Sequence, residues 1–167
     1  MSLFRDFECF KEEIELALIQ NACVEIELYS IIASIIRESN NKCKLSVRDV
    51  SNRRRTSISE KFYGDSGFPD FVILAREKKP NASQYGCIEV KMPTVELDIN
   101  DIQLNGHIQS FRKVIYTNGI RWIYLENCKD NIDFDITLGS MQGDRIVWNS
   151  KEEWDNLLAK IDNIKWY

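Results

Sequence analysis

Apolar residues recur every three or four positions over the first quarter of the chain, which predicts helix from Phe4 to Glu38. The sequence alone leaves open whether Asn21 divides this stretch into two helices. The pair Asn40-Asn41 follows it as a helix stop. The apolar stripe consists of Phe7, Phe10, Ile14, Leu18, Val24, Leu28, Ile31, Ile32, Ile35 and Ile36.

The rest of the chain is dominated by short apolar runs that turn residues separate, which is the pattern of β-strands. The segment Cys43–Phe62 is polar and basic and gives only weak strand signals. Helical periodicity returns at Asp98–Arg112 and again after Ser150, which is expected to cap the last helix. The clear strand patterns are Phe71–Leu74, Tyr85–Val90, Val114–Tyr116, Arg121–Leu125, Phe134–Leu138 and Arg145–Trp148.

Turn residues indicate how these strands connect. Glu77–Asn81 is expected to be the loop of a hairpin between the first two strands, and Asn118-Gly119 is a strong turn signal. The last two strands, Phe134–Leu138 and Arg145–Trp148, are expected to pair with each other. The order of elements predicts a mixed sheet flanked by helices, in the α/β or α+β class.

Composition narrows the setting of this fold. With 167 residues, 44% of them hydrophobic, and no linker or repeat, the chain is expected to form one domain over residues 1–167. The five cysteines are widely spaced and form no C-x-x-C pair, so neither a zinc knuckle nor a dithiol redox motif is available. Without a secretory pattern or a long apolar stretch, a cytoplasmic chain with reduced thiols and no membrane partner is expected.

The residue inventory excludes several kinds of chemistry. His107 is the single histidine, so a site with several histidine ligands cannot be built. The chain has no P-loop motif and, with seven glycines, no dinucleotide-binding fingerprint. A formal net charge of -4 means that any nucleic-acid ligand needs a local basic patch. Carboxylates, lysines and amides remain as the groups that can carry chemistry.

Three charged residues are expected to converge where two strands meet. Asp70 opens the strand Phe71–Leu74, and Glu89 and Lys91 stand at the end of Tyr85–Val90. Side chains two positions apart on a strand point to the same face, so Glu89 and Lys91 share one. Antiparallel pairing then brings the start of the first strand beside the end of the second, within reach of Asp70.

The chemistry of this group depends on the cost of burying charge. Carboxylates inside a protein need a partner or a metal, and two that converge suit a hard cation such as Mg²⁺. Such an ion can generate a nucleophilic hydroxide and stabilise a phosphoryl group, while a nearby lysine offsets phosphate charge. The alternative interpretation is an ordinary Glu89–Lys91 pair on an exposed strand face.

Pro69-Asp70 followed by Glu89-Val90-Lys91 resembles the PD-(D/E)XK nuclease superfamily. The stretch Gln103–His107, with Thr117-Asn118-Gly119 and Trp122 after it, is similar to the glutamine helix and strand turn of restriction-enzyme nuclease domains. The N-terminal nuclease domain of type I restriction enzymes, and nuclease modules fused to DNA methyltransferases, are the nearest cases. The similarity spans Cys23–Leu125 and implies a restriction-endonuclease-like sheet.

The resemblance implies a role for each matching residue. Asp70 and Glu89 are expected to bind Mg²⁺, for which Mn²⁺ can substitute, and Lys91 is the expected catalytic lysine. Gln103 matches the helix glutamine that orients the site, and Glu25 is preferred as the further catalytic glutamate that the family often has on its first core helix. Glu27 is the other candidate for that position.

One position departs from the family pattern. The family usually has a tyrosine four residues after the glutamine, whereas this chain has His107. A histidine there can donate to a phosphate or simply pack, and packing without a catalytic role is the preferred interpretation.

A basic segment precedes the site strands. Arg53, Arg54 and Arg55, with Arg48 and Lys61 nearby, are expected to contact nucleic-acid phosphates, although charge runs are more often solvated loops. The expected function is a Mg²⁺-dependent endodeoxyribonuclease that acts in restriction or defence. It is expected to act alone, as a homo-oligomer, or as part of a larger restriction enzyme. The alternatives are a catalytically weak scaffold that binds nucleic acid or a protein partner without cleavage, and a structural α/β domain with chance motifs.

Overall fold

A computed structural model describes residues 3–20, 25–41 and 43–167. The α-helices in this part of the chain are α1 (Phe7–Gln20), α2 (Glu27–Arg37), α3 (Ile102–Phe111) and α4 (Lys151–Asn163). The strands are β1 (Leu45–Asp49), β2 (Phe71–Ala75), β3 (Gln84–Val90), β4 (Lys113–Thr117), β5 (Arg121–Glu126), β6 (Ile132–Thr137), β7 (Gly139–Gln142) and β8 (Arg145–Trp148).

The first six strands form one mixed sheet in the order β1-β2-β3-β4-β5-β6. Strands β3 and β4 are parallel because the chain crosses over through α3 between them, whereas the other neighbours are antiparallel. The predicted α+β class with a mixed sheet flanked by helices is therefore confirmed. None of the helices in the described ranges is long and apolar enough to cross a membrane.

The predicted N-terminal helical stretch contains two described helices, α1 and α2. Asn21 and Val24 lie outside the described residues, so the predicted stripe is visible only on either side of them. The polar segment after α2 contains β1, which the sequence indicated only weakly. Leu45 and Val47 are buried there while Arg48 points outward, so the alternation covers too few residues to stand out.

The sheet separates two apolar cores. On one side, alternate residues of β2 to β6 pack against α1, α2 and α4, as shown by Phe71, Ile88 and Trp122. On the other side, the intervening residues, such as Val72 and Cys87, pack against α3. Glu89 and Lys91 have the same strand parity as Cys87 and therefore face α3. The sequence predicted that the two share a face but not which helix covers it.

The predicted pairing of the last two strands is wrong. Strand β6 adds to the edge of the main sheet beside β5, and β8 pairs with β7 in a separate two-stranded sheet. The reason is visible in β6, where buried Phe134 and Ile136 alternate with exposed Asp133 and Asp135 and so fit a half-buried edge strand. Strand β7 has the sequence Gly-Ser-Met-Gln, in which Met141 is the one large apolar residue, so the sequence gives little strand signal there.

Helix α3 begins later than its apolar pattern suggested, because Asp101 caps it. The Asp101 carboxylate accepts from the backbone N–H groups of Gln103 at 2.7 Å and Leu104 at 3.1 Å. Gly106 lets α3 approach the turn that contains Ser66, since a Cβ at position 106 would lie 1.8 Å from Ser66 Oγ. Ser150 does occupy the N-cap position of α4, but its side chain makes no capping hydrogen bond.

Candidate active site

The ends of β2 and β3 bring the predicted site residues together. Phe71 pairs with Ile88, and the same antiparallel register continued by one residue sets Asp70 opposite Glu89. Lys91 comes directly after β3, and its backbone N–H donates to the carbonyl of Thr117 at 2.8 Å. One open cavity is lined by Glu25, Tyr29, Asp70, Glu89, Lys91 and Gln103.

Asp70 is held by two donors in a largely buried position. Its Oδ2 accepts from the backbone N–H of Val90 at 2.7 Å, and its Oδ1 accepts from the hydroxyl of Tyr29. Burial, followed by repulsion from Glu89, raises the pKa of Asp70 to about 7 despite these bonds. The carboxyl group is therefore poised between its two protonation states near neutral pH.

Lys91 lies between Glu89 and Gln103. Its Nζ donates to Glu89 Oε1 at 2.7 Å and to Gln103 Oε1 at 3.0 Å. Burial lowers the pKa of Lys91, but the hydrogen bond and negative charge of Glu89 outweigh this effect and raise it overall. Lys91 is therefore a protonated ammonium in this arrangement, with its position fixed by one residue from β3 and one from α3.

His107 contacts the second oxygen of Glu89. Its Nε2 lies 3.2 Å from Glu89 Oε2, yet the angles do not make a hydrogen bond, and neither ring nitrogen has another partner among the described residues. The side chain is fully buried and its ring packs beside Phe111. In this position it does not reach a phosphate in the cavity, and the roles open to it are packing and orientation of Glu89.

The N-terminal glutamate of the cavity is Glu25, which lies just before α2. Glu27 is exposed and lies outside the cavity. Burial raises the pKa of Glu25, against a smaller opposite effect of Lys91.

Tyr29, which the sequence analysis did not single out, connects Glu25 to Asp70. Its hydroxyl lies 3.3 Å from Glu25 Oε1 and also contacts Asp70. The signal that could have found it is its spacing of four residues from Glu25 at the start of a helix, which sets the two side chains on one face.

The donor set fits a hard divalent cation. Asp70 and Glu89 supply carboxylate oxygens to the cavity. Glu89 Oε2 makes no hydrogen bond, and its nearest polar contact is His107 Nε2 at 3.2 Å. No group of three or more His, Cys, Asp or Glu side chains in the described ranges is arranged to hold a metal. A cation here would therefore take further oxygens from water or substrate, which is usual for Mg²⁺.

Comparison with known proteins does not assign this cavity. No family model, no curated protein and no solved structure matches the chain. A function for the cavity therefore has to be inferred from its own geometry, in which Asp70 and Glu89 converge beside the fixed ammonium of Lys91.

The three predicted nucleic-acid-binding arginines lie beside the cavity and not in its wall. Arg53, Arg54 and Arg55 are exposed, in the loop that also gives Ser51 and Asn52 to the lining. The Arg53 guanidinium lies 5.5 Å from the ring centre of Phe62, and that of Arg55 lies 4.6 Å from the ring centre of Tyr63. Aromatic contacts thus hold two of the three guanidinium groups.

Proposed function

We propose that this chain is a metal-dependent nuclease domain of the PD-(D/E)XK type, which hydrolyses DNA phosphodiester bonds in a restriction or defence role. The observation that carries the proposal is the convergence of Asp70, Glu89 and Lys91 on one open cavity. Two carboxylates and a protonated lysine at adjacent strand ends match what phosphodiester hydrolysis needs.

Asp70 and Glu89 would hold the cation, Mg²⁺ or in its place Mn²⁺. When bound there, such an ion supplies a water of lowered pKa and stabilises negative charge on a phosphoryl oxygen. The contacts of Asp70 with Tyr29 and the Val90 backbone fix the direction of its carboxylate before any cation arrives. A ligand whose orientation is already set needs less reorganisation on binding.

Lys91 supports the reaction as a cation and a hydrogen-bond donor. Against the effect of burial, Glu89 raises the pKa of Lys91 in this arrangement, so Lys91 is present as an ammonium that can donate hydrogen bonds and offset negative charge. Gln103 and Glu89 together aim Nζ, which leaves the ammonium able to donate to a water or to a phosphate oxygen in the cavity. Charge that develops on the phosphate is then offset by a group already in place.

Cleavage of supercoiled plasmid and of single-stranded circular DNA in Mg²⁺ or Mn²⁺, with and without chelator, tests the proposal. Nicking or linearisation that chelator abolishes is expected from the wild type and is not expected from Glu89→Gln. Asp135→Asn removes a carboxylate in β6 that is paired away from the cavity, so it serves as the matched control and should cut normally.

Two outcomes would contradict the proposal. Cleavage by Glu89→Gln at the wild-type rate would mean that the activity does not belong to this site. Firm DNA binding by a wild type that never cuts would support the non-cleaving scaffold.

A further inference from the structure

We propose that the substrate of this site is nucleic acid with unpaired bases, and that Phe68 and Tyr63 are the residues that stack on them. This inference rests on the proposed nuclease function and adds the class of substrate. It is carried by a row of three side chains, Arg55, Tyr63 and Phe68, that leads from the basic loop to the cavity.

Phe68 brings an aromatic ring to a polar cavity. It precedes Asp70 by two residues, and it lines the cavity while remaining partly exposed. Most of the other lining residues carry charge or hydrogen-bonding groups, so the Phe68 ring is an apolar wall beside the carboxylates. A ring in this position can meet the nucleotide whose phosphate lies at Asp70 and Lys91.

Tyr63 extends this wall outward. Its ring centre lies 5.1 Å from that of Phe68, with the two planes 83° apart, and 42% of the residue is exposed. The Arg55 guanidinium lies 4.6 Å from the Tyr63 ring centre. Aromatic rings beside a cation in this way suit a single nucleic-acid strand, because its bases can stack on the rings and its phosphates can bind the guanidinium.

The ion pair of Arg55 does not prevent such contact. Arg55 meets Glu60 at 2.7 Å, but both side chains are more than half exposed. Exposed pairs of this kind contribute little, so a phosphate can replace Glu60 at small cost. The guanidinium also lies over the Tyr63 ring, a weak contact that does not depend on Glu60.

Only unpaired bases can use these rings. In a duplex both faces of each base are covered by its neighbours, and unstacking a paired base costs free energy that a single strand does not spend. The formal net charge of -4 also gives the chain little general attraction to the denser charge of a duplex. Aromatic walls and local arginines therefore favour single strands, ends or flaps.

A packing role for Phe68 makes a different prediction. Phe68 also packs against the core cluster on the α3 side of the sheet. If Phe68 only packed, Phe68→Leu would lower the stability of the fold and leave the relative affinity for single strand and duplex unchanged. If its ring stacks on bases, Phe68→Leu reduces the preference for single strand over duplex, and Phe68→Tyr retains that preference.

Binding measured by fluorescence anisotropy in the presence of chelator separates these roles, because no strand is cut. The probes are a labelled oligothymidylate of about 12 nucleotides and a hairpin duplex with the same number of phosphates. We expect wild type to bind the single strand at least about tenfold more tightly. Phe68→Leu and Tyr63→Leu should each weaken single-strand binding about 5- to 100-fold and duplex binding less than about twofold.

Three further measurements accompany this experiment. Tyr85→Leu removes a partly exposed tyrosine at the start of β3, at the opposite end of that strand from Glu89, and should change neither affinity. Replacing Arg53, Arg54 and Arg55 by alanine should weaken the binding of both probes. The slope of log affinity against log salt concentration should flatten by up to about 3 for the duplex and about 2 for the single strand. Far-ultraviolet circular dichroism of Tyr63→Leu, which alters an exposed side chain, guards against an effect of unfolding.

The outcomes distinguish this inference from the proposed function. Equal affinity of wild type for both probes, or equal losses for both in Phe68→Leu, would overturn the inference even if plasmid cleavage is observed. A single-strand preference that Phe68→Leu removes would support the stacking surface even if no substrate is cut, and the nuclease proposal alone would then fail.

Discussion

Two ion pairs on the same sheet differ in how completely their charges are matched. Arg121 and Asp135 meet through two contacts, Nε to Oδ1 at 2.8 Å and Nη2 to Oδ2 at 2.6 Å, with about a third of each side chain exposed. Lys91 and Glu89 meet through one contact at 2.7 Å, and only 3% of the Glu89 side chain is exposed. The better matched pair is therefore the one in contact with water.

The difference shows where the fold carries an electrostatic cost. Arg121 of β5 donates to both carboxylate oxygens of Asp135 on β6, and this bidentate pair connects the two neighbouring strands. At the ends of β2 and β3, Glu89 Oε2 is buried without a hydrogen bond and the pKa of Asp70 is raised. Packing alone gives no reason to bury these carboxylates, and a cation bound in the proposed site would offset this cost.

Replacing Lys91 by alanine is expected to have the largest effect on activity. Loss of one preorganised group typically costs about 10²–10³ in rate. Mn²⁺ affinity should stay the same or improve, because a positive neighbour of Glu89 is removed. Single-turnover cleavage and calorimetry measure the two effects, with Lys151→Ala, which alters an exposed lysine of α4, as the control. A Lys91→Ala protein that cuts within a few-fold of wild type would reduce Lys91 to a structural partner of Glu89.

Asp70→Asn should remove Mn²⁺ binding while it stabilises the free protein. Because the folded-state pKa of Asp70 is about 7, above its ordinary 3.8, the folded chain retains a proton that the unfolded chain releases between these values. The free energy of unfolding therefore falls as pH rises through this window and levels off above it. Asparagine can still accept from the Val90 N–H and donate to the Tyr29 hydroxyl, so the neighbours keep their partners.

The measurement is urea unfolding of both proteins across pH. Asp70→Asn should be more stable by roughly 1–3 kcal/mol at about pH 8 and should show little gain at about pH 4. Calorimetry with Mn²⁺ then shows whether the stabilised variant has lost the ion. A variant that is less stable at both pH values would mean that the Asp70 charge supports the fold, contrary to the raised pKa.

Substitution of His107 tests whether metal binding by Glu89 depends on the contact of its Oε2 with His107 Nε2. His107→Phe keeps an aromatic ring but removes Nε2 from Glu89 Oε2, whereas His107→Gln keeps a polar donor. Loss of a group that orients a ligand typically weakens metal affinity about 10-fold or more. We expect that loss in His107→Phe and a smaller one in His107→Gln, measured by Mn²⁺ calorimetry beside thermal unfolding. Equal affinity in all three proteins would leave His107 with packing alone.

The sequence predicted which charged residues come together better than it predicted the edges of the fold. Glu89 lies in β3, Asp70 directly precedes β2 and Lys91 directly follows β3. Both strands have strong apolar patterns, and the two-residue period determines which side chains share a face. Tyr29 was missed because its partner Asp70 lies 41 positions away and only the tertiary fold brings them together. The pairing of β6 with β5 was missed for a related reason, because the apolar pattern of a strand does not indicate which other strand it pairs with.

The smallest expected effect concerns the matched pair itself, Arg121 and Asp135. A double-mutant cycle with Arg121→Gln and Asp135→Asn isolates their interaction, because Arg121 also donates to the backbone carbonyl of Leu97 at 3.2 Å and a single substitution would remove that bond as well. Partly exposed pairs contribute about 0.2–1 kcal/mol, and the bidentate geometry favours the upper part of that range. The coupling should shrink in high salt, since water and ions reach both side chains. Urea unfolding of the four proteins at low and high salt gives this value, and none of them should differ in Mn²⁺ binding. A coupling well above about 1 kcal/mol would mean that the β5–β6 pair behaves as a buried one and would remove the contrast with Glu89 and Lys91.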